Sequence, residues 1–209
     1  MNPRFPIPAA FAALLLVIQA SAWAGNERVT VVRSNGSSAF ANLFDPATQS
    51  SGFLTVSRDA IAGTTTLDFA WATPVPGDPR HVVLVQGAGE IPNAAFTVDH
   101  DGAQLNVLTP FETVRCLVDI EDGNFDCAGA PALDFALRWS RIGLEREWQQ
   151  TVSEVRMGPL TVRSRGQFER TAAAVDGRFG GLSTTGASGN LFDTRGASVA
   201  REVRMKTAP

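Results

Sequence analysis

The stretch Thr64-Thr65-Thr66-Leu67-Asp68-Phe69-Ala70-Trp71-Ala72 decides the fold class of this chain of 209 residues. Its three large apolar side chains, Leu67, Phe69 and Trp71, stand at every second position. In an extended backbone they therefore point to one face of a sheet, and the side chains between them point to the other. The stretch from Leu133 to Trp139 repeats this alternation. Such a period of two is typical of half-buried β-strands.

Segments of the same character recur along the whole chain. They lie at 28–33, 39–44, 52–57, 81–86, 94–98, 104–108, 114–118, 151–157, 160–165, 167–175 and 198–205. Turn-forming residues separate them at 34–36, 45–46, 76–79, 99–102, 164–166 and 176–177, where Gly, Pro, Asn and Asp satisfy turn geometry. Many short strands with regular turns predict an all-β fold, namely an antiparallel β-sandwich, with a closed or partly open β-barrel as the alternative.

One segment, residues 141–157, carries two competing patterns. Leu144, Trp148 and Val152 follow the spacing of a helical stripe, whereas β-branched residues favour a strand toward the end of the segment. We expect a strand in its second part, and residues 141–149 stay open between a loop and a short helix.

The first 24 residues have the features of a signal peptide. Arg4 supplies a positive charge, residues 9–20 are apolar apart from Gln19, and Ala22 and Ala24 provide small residues at the −3 and −1 positions. The apolar run is too short to span a hydrocarbon layer of roughly 30 Å. We therefore expect cleavage after Ala24, a secreted or periplasmic protein without a transmembrane segment, and one all-β domain over residues 25–209.

The two cysteines, Cys116 and Cys127, fit an exported protein, because disulfides persist outside the reducing cytosol. If they lie directly opposite each other in a hairpin, Asp119 pairs with Asn124 and residues 120–123 form the loop. The sequence therefore predicts a disulfide between Cys116 and Cys127 that holds this hairpin together.

Acidic and amide side chains crowd the same hairpin. These oxygen-bearing residues are Asp119, Glu121, Asp122, Asn124 and Asp126. Calcium prefers such oxygen ligands, but the spacing does not match an EF-hand loop. We expect a solvated acidic tip, with a calcium site as the alternative and no other cofactor.

Histidine is scarce, since His81 and His100 are the only two. The sequence contains no G-x-S-x-G elbow, no H-E-x-x-H pair and no Walker loop. We therefore assign no catalytic residue. The enzymatic alternative is a hydrolase or lyase that combines scattered carboxylates with His81 or His100.

Charge is distributed unevenly along the chain. Residues 25–149 carry 8 basic and 16 acidic side chains (net −8), whereas residues 150–209 carry 9 basic and 5 acidic ones (net +4). The overall acidic balance argues against a binder of duplex nucleic acid, which needs clustered excess cations. The basic C-terminal region has two interpretations: its arginines pair with acidic strands inside the protein, or they form a basic face.

The candidate binding residues follow from the basic-face interpretation. Strand alternation places Arg163 and Arg165 on one side. Arg170 extends the basic run, and Trp148 is the tryptophan that we expect to be exposed. The partner would be an anionic glycan, a lipid head group or a protein surface.

Several short motifs occur in a characteristic order: Ser-Ser-Ala-Phe at 37–40, Gly-Phe-Leu-Thr-Val-Ser-Arg-Asp at 52–59 and Thr-Leu-Asp-Phe at 66–69. In this order of features the chain resembles a group of uncharacterised secreted bacterial β-proteins. That resemblance implies an all-β fold and export, and it implies no activity. Together these observations predict an exported, non-catalytic binding or structural module. The alternatives are a lipocalin-like barrel for a small apolar ligand and the carboxylate- and histidine-dependent enzyme.

Overall fold

A computed structural model describes residues 20–24, 27–180 and 182–203, without the side chains of 20–24, 27–28, 143–148, 183 and 185. These described residues form twelve strands and one short 3-10 helix, Asn93–Ala95. The strands are β1 (Ala20–Ala24), β2 (Glu27–Asp45), β3 (Ser50–Asp59), β4 (Thr64–Val75), β5 (Asp78–Ile91), β6 (Phe96–Val98), β7 (Gly102–Leu108), β8 (Thr113–Asp119), β9 (Phe125–Ala130), β10 (Asp134–Met157), β11 (Leu160–Phe179) and β12 (Leu182–Val203).

All twelve strands belong to one antiparallel sheet. Its order is β6-β7-β10-β11-β12-β2-β3-β4-β5-β8-β9, and β1 pairs separately with the start of β2. The sheet curls into a half-barrel, which confirms the all-β prediction with its sandwich and barrel alternatives. Among the described residues, β6 and β9 end the sheet without a partner on their outer sides.

The core fills the concave face of the curled sheet. Leu67, Phe69 and Trp71 of β4 are buried, as the alternation in this strand predicts. They meet the opposite wall, because the ring centroids of Phe69 and Phe135 are 4.8 Å apart and those of Trp71 and Phe179 are 4.6 Å apart. Distances of this size are typical of packed aromatic pairs. The contact between these walls holds the sheet in its curl.

Four strands continue well past one end of this core. We call their projecting part the arm, and it consists of residues 149–157 of β10, 160–167 of β11, 195–203 of β12 and 29–35 of β2. The structure describes every residue of the arm, and none of them is buried. The arm is therefore a sheet whose two faces are both accessible to solvent.

Two of the predicted turns lie inside the arm strands and are wrong. β2 runs straight through residues 34–36, and β11 runs straight through residues 164–166. The glycines there serve close strand contacts instead: a Cβ on Gly36 would lie 2.9 Å from the carbonyl oxygen of Arg58, and one on Gly166 would lie 2.9 Å from Oγ1 of Thr151. The signal at 176–177 is also not a turn, because β11 continues through it with a register shift.

Residues 141–149, which the sequence left open between loop and helix, belong to strand β10. The pairing of β10 with β11 skips register between Arg141 and Arg146, so the backbone bulges where the helical pattern occurs. A bulge inserts extra residues into one strand and disturbs the alternation of its side chains. This irregularity accounts for the mixed pattern in the sequence.

The predicted signal peptide lies outside the described residues except for Ala20–Ala24, which form β1. Cleavage after Ala24 would remove β1 and leave the ladder between β2 and β12 intact, since that ladder begins at Glu27. Within the described part of the chain, no helix has the length and hydropathy needed to cross a membrane.

The core can be tested within a single strand, β7. Leu105 is 1% exposed and packs in the core, whereas Leu108 is 62% exposed. We expect Leu105→Ala to lower the free energy of unfolding by about 2–5 kcal/mol, because it removes buried methyl groups and leaves a cavity. Leu108→Ala should change it by about 0.5 kcal/mol or less. Urea unfolding measures both, and equal effects would contradict the assigned register of β7.

Candidate functional site

The arm has two faces of different chemistry. Side chains of directly opposite residues in an antiparallel sheet lie on the same face, and the faces alternate along each strand. The face that continues the buried core face we call the inner face; for example, Arg195 of β12 lies on the same face as buried Leu191. The other face, the outer face, continues the convex exterior of the half-barrel.

Most charged side chains of the arm lie on the inner face. Six arginines and one acidic residue lie on it, which gives it a net charge of +5. These residues are Arg33, Arg156, Arg163, Arg165, Arg195 and Arg201, with Glu154. All six arginines are exposed. The sequence-level excess of basic residues after residue 150 is therefore concentrated on one surface, to which β2 adds Arg33.

The outer face of the arm carries almost no charge. Glu202 is its one ionisable residue, and apart from Gln149 and Met157 the rest are hydroxyl-bearing, small or aliphatic side chains. In the middle of the face, the hydroxyls of Ser164 and Ser198 form a hydrogen bond of 2.8 Å across β11 and β12. Because neither face of the arm covers a core, burial does not require this separation of charge.

Glu154 neutralises part of the inner face. Its carboxylate accepts hydrogen bonds from Nε of Arg156 and Nε of Arg163, both at 2.8 Å. The hydrogen bonds from Arg156 and Arg163 hold the pKa of Glu154 below its usual range. These two arginines therefore pair within the basic region itself, and not with the acidic strands of residues 25–149.

Three other arginines have no such partner. Arg33, Arg165 and Arg195 make no ion pair and no side-chain hydrogen bond to any residue that the structure describes. The strand register brings them together: Arg165 and Arg33 lie on either side of Ala197, and Arg195 is two residues before Ala197 on the same strand. The unpaired positive charge of the inner face is thus concentrated around one small side chain.

The structure divides the predicted binding residues. Arg163 and Arg165 share the inner face, as strand alternation predicts, whereas Arg170 lies on the opposite face and donates from Nε to Asn190 Oδ1 at 2.9 Å. The backbone of Trp148 pairs with Glu169 in the sheet, but its side chain lies outside the described residues. Arg170 therefore cannot act together with the other two.

Sequence reasoning missed Arg33 and Arg195. They stand 162 residues apart along the chain (195 − 33), and only the ladder of β2 with β12 makes them neighbours. Arg33 precedes the predicted turn at 34–36, and Arg195 is only one of nine basic residues after residue 150. A prediction that β2 and β12 pair would have found them, and no local pattern contains that information.

The predicted disulfide between Cys116 and Cys127 is present. The two cysteines are direct partners in the ladder of β8 and β9, and the amide of Asp119 donates to the carbonyl oxygen of Asn124 at 2.8 Å. The predicted register and the predicted loop at 120–123 are therefore confirmed. Because β9 is an edge strand, the disulfide ties down the end of the sheet.

The calcium candidates in this hairpin gather around an arginine. Asp119, Glu121 and Asp122 each form an ion pair with Arg80 of β5, at 2.6 Å for Asp119 and 3.4 Å for Glu121. Oδ1 of Asp119 also accepts hydrogen bonds from the amides of Glu121 and Asp122. Arg80 thus takes the position of the cation. The described residues contain no group of three or more His, Cys, Asp or Glu side chains that could hold a metal ion, and neither Asn124 nor Asp126 contacts Arg80.

The carboxyl group of Asp119 responds to this environment. Desolvation alone would raise its pKa, but hydrogen bonds from Arg80 and from the amides of Asp122 and Glu121 outweigh that effect and lower it. Arg80 also accepts a hydrogen bond at its carbonyl oxygen from the amide of Ile120. Side-chain and backbone contacts therefore fasten the hairpin to β5.

The two histidines are held by carboxylates. Nδ1 of His81 lies 2.7 Å from Asp78, and its Nε2 lies 3.9 Å from Asp119. His100 contacts only its neighbour Asp101 and is 90% exposed. Among the described residues, no Ser, Thr or Cys side chain forms a hydrogen bond with either histidine. His81 therefore lies beside two carboxylates, the residue type that the enzymatic alternative combines with it, whereas His100 lies beside one at an exposed position.

A shallow depression lies at the end of the half-barrel opposite the arm. Its lining includes Trp71, Phe179, Leu182 and Thr184, and its volume of about 10 Å³ holds roughly one water molecule. Pockets for small apolar ligands are typically about 300–1,000 Å³. This depression therefore has no room for the ligand of a lipocalin-like barrel.

Reduction of the disulfide should destabilise the protein measurably. The disulfide closes a loop with a sequence separation of 11 residues, and in the chain-entropy model a loop of this length contributes about 2.5–3 kcal/mol. We expect the variant with Cys116→Ser and Cys127→Ser to lose that amount in urea unfolding. An unchanged midpoint would show that Arg80 alone holds the hairpin.

The contacts of Asp119 predict a dependence of stability on pH. Since its pKa is lower in the folded protein, its contribution is present above the unfolded value of about 3.9 and is lost as the pH falls through the folded value. We expect Asp119→Asn to lower the melting temperature at pH 7, and the difference from the wild type to shrink as the pH falls below about 3.9. Asp126→Asn, at an exposed position without an ion pair to any described residue, is the control. A constant difference at all pH values would contradict this role.

No protein-family model, no curated protein and no solved structure matches this chain. What the protein does must therefore be inferred from the charge, exposure and contacts of its own residues. Among the described residues, the inner face of the arm carries a concentration of like charge that folding does not explain.

Proposed function

We propose that this protein is an exported, non-catalytic module that binds an anionic glycan along the inner face of the arm. The observation that carries the proposal is the separation of charge: the inner face has a net charge of +5, and the outer face of the same sheet has −1. A clustered charge of one sign attracts ligands of the opposite sign and orients them as they approach.

The shape of the arm favours a linear polymer over a membrane surface. The inner face continues the concave face of the half-barrel, so at its base the opposite wall of the sheet rises beside it. A planar bilayer would touch only the tip of such a surface, whereas a polymer chain can lie along the strands. Arg163 and Arg165 of β11 are two residues apart, which corresponds to a spacing of roughly 6.6 Å along the strand, and Arg195 and Arg201 lie on the same face of neighbouring β12.

The disulfide supports the exported location, since such bonds persist in oxidising compartments. The 90% exposure of the His100 side chain supports a binding role over a hydrolytic one for this residue, because an exposed histidine lacks the desolvation that tunes a catalytic base.

Binding to dextran sulfate tests this proposal. The double variant Arg165→Ala with Arg195→Ala should bind fluorescent dextran sulfate about 5- to 30-fold more weakly than the wild type at low salt, because each exposed charge contact contributes up to about 1 kcal/mol. Binding should also weaken steeply between 50 and 300 mM salt, since salt screens exposed charges.

The matched control changes the net charge by the same amount elsewhere. Arg115→Ala with Arg170→Ala removes two exposed arginines that lie outside the inner face, and it should leave binding nearly unchanged. Equal losses in the two double variants would show that only net charge matters and would refute a site on the arm. Stronger binding to phosphatidylglycerol vesicles than to dextran sulfate would point to a membrane partner instead.

A further inference from the structure

The strand register places three unpaired arginines around Ala197, and we infer that they form a subsite for a single tetrahedral oxyanion, a sulfate or phosphate group carried by the ligand. This inference rests on the proposed function, because it names the chemical group that the inner face recognises. Arg165, Arg33 and Arg195 make up the subsite, with Ala197 as its floor.

The geometry of the sheet allows the three side chains to converge. Neighbouring strands lie about 4.8 Å apart, so Arg165 and Arg33, on the strands either side of Ala197, have Cα atoms roughly 10 Å from each other. Arg195 is two residues from Ala197 on the central strand and points to the same face. An extended arginine side chain covers this distance, and the methyl group of Ala197 leaves the space above it open.

The number of donors selects the ligand group. Each guanidinium presents a planar fork of N–H donors that matches two oxygens of an oxyanion. A carboxylate has only two oxygens in one plane and cannot accept three forks that approach from three sides. A sulfate or phosphate ester retains three terminal oxygens in a tetrahedral arrangement and can do so.

Two other arginines of the inner face, Arg156 and Arg163, are paired with Glu154 and therefore do not belong to the subsite. Arg163 is also on β11, two residues from Arg165, but Glu154 holds its guanidinium at 2.8 Å. Arg156 contacts the same carboxylate at 2.7 Å. No acidic side chain lies within ion-pair distance of Arg33, Arg165 or Arg195 among the described residues. Three like charges in close proximity repel one another, and a bound anion would relieve that repulsion.

Three derivatives of one polymer test the chemistry. Dextran sulfate, phosphorylated dextran and carboxymethyl dextran, matched in length and charge density, are titrated into the labelled full-length protein. We expect the sulfated or the phosphorylated polymer to bind at least tenfold more tightly than the carboxylated one, and the tighter of the two identifies the source of the group. Equal affinity for all three polymers would overturn the inference and leave the proposed function standing.

Substitutions then locate the subsite. Arg165→Lys keeps the charge and removes the fork, and Ala197→Leu fills the floor; each should abolish the preference over carboxymethyl dextran. The matched controls are Arg170→Lys and Ser198→Leu, which lie on the opposite face, and both should retain it. Thermal unfolding confirms that each variant is folded. If both Arg165→Lys and Ala197→Leu keep the preference over carboxymethyl dextran, the subsite is refuted. If the wild type binds none of the three polymers, the proposed function itself is refuted.

Discussion

The packing of aromatic rings across the interior determines the shape of this protein. Phe69 and Trp71 come from one wall of the sheet, and Phe135 and Phe179 come from the other. A single sheet of this size buries a hydrophobic face only by folding over on itself, and these rings are what its two walls bury. The curl of the sheet follows from that requirement. The same requirement explains why one end of β10, β11, β12 and β2 encloses a core and the other end does not. Where the rings lie, the strands form a wall around a core, and where the rings end, the same strands project as the arm.

Local features of the fold could be predicted from the sequence, and long-range ones could not. The alternation around Phe69 and the register between Cys116 and Cys127 depend on residues close together in the chain, and both predictions are confirmed. The continuous arm strands were missed because Gly36 and Gly166 resemble turn residues, although each accommodates a close neighbour within a strand. For the site, alternation was enough to place Arg163 and Arg165 together. The contribution of Arg33 required the pairing of β2 with β12, which no periodicity in either segment reveals.

The arm also illustrates how a sheet can exist without a core on either side. Its four strands are stabilised by their mutual backbone hydrogen bonds and by the rigid base from which they emerge, not by burial of side chains. Because the arm covers no core, neither of its faces has to consist of apolar side chains. Placing Arg165, Arg33 and Arg195 around Ala197 is unfavourable for the isolated protein, because like charges on neighbouring strands repel. Arrangements of residues that lower the stability of the folded protein are characteristic of functional surfaces.

The ladder between β2 and β12 has a consequence for how the molecule forms. Its partners are separated by almost the whole chain, since Glu27 pairs with Val203 and Ala41 pairs with Gly189. Contacts of such sequence separation carry a large entropic cost of closure and are associated with slow folding. Strand β2 cannot acquire its partner on that side until residues 189–203 have been synthesised. Until then β2 has one side of its backbone open to incorrect partners.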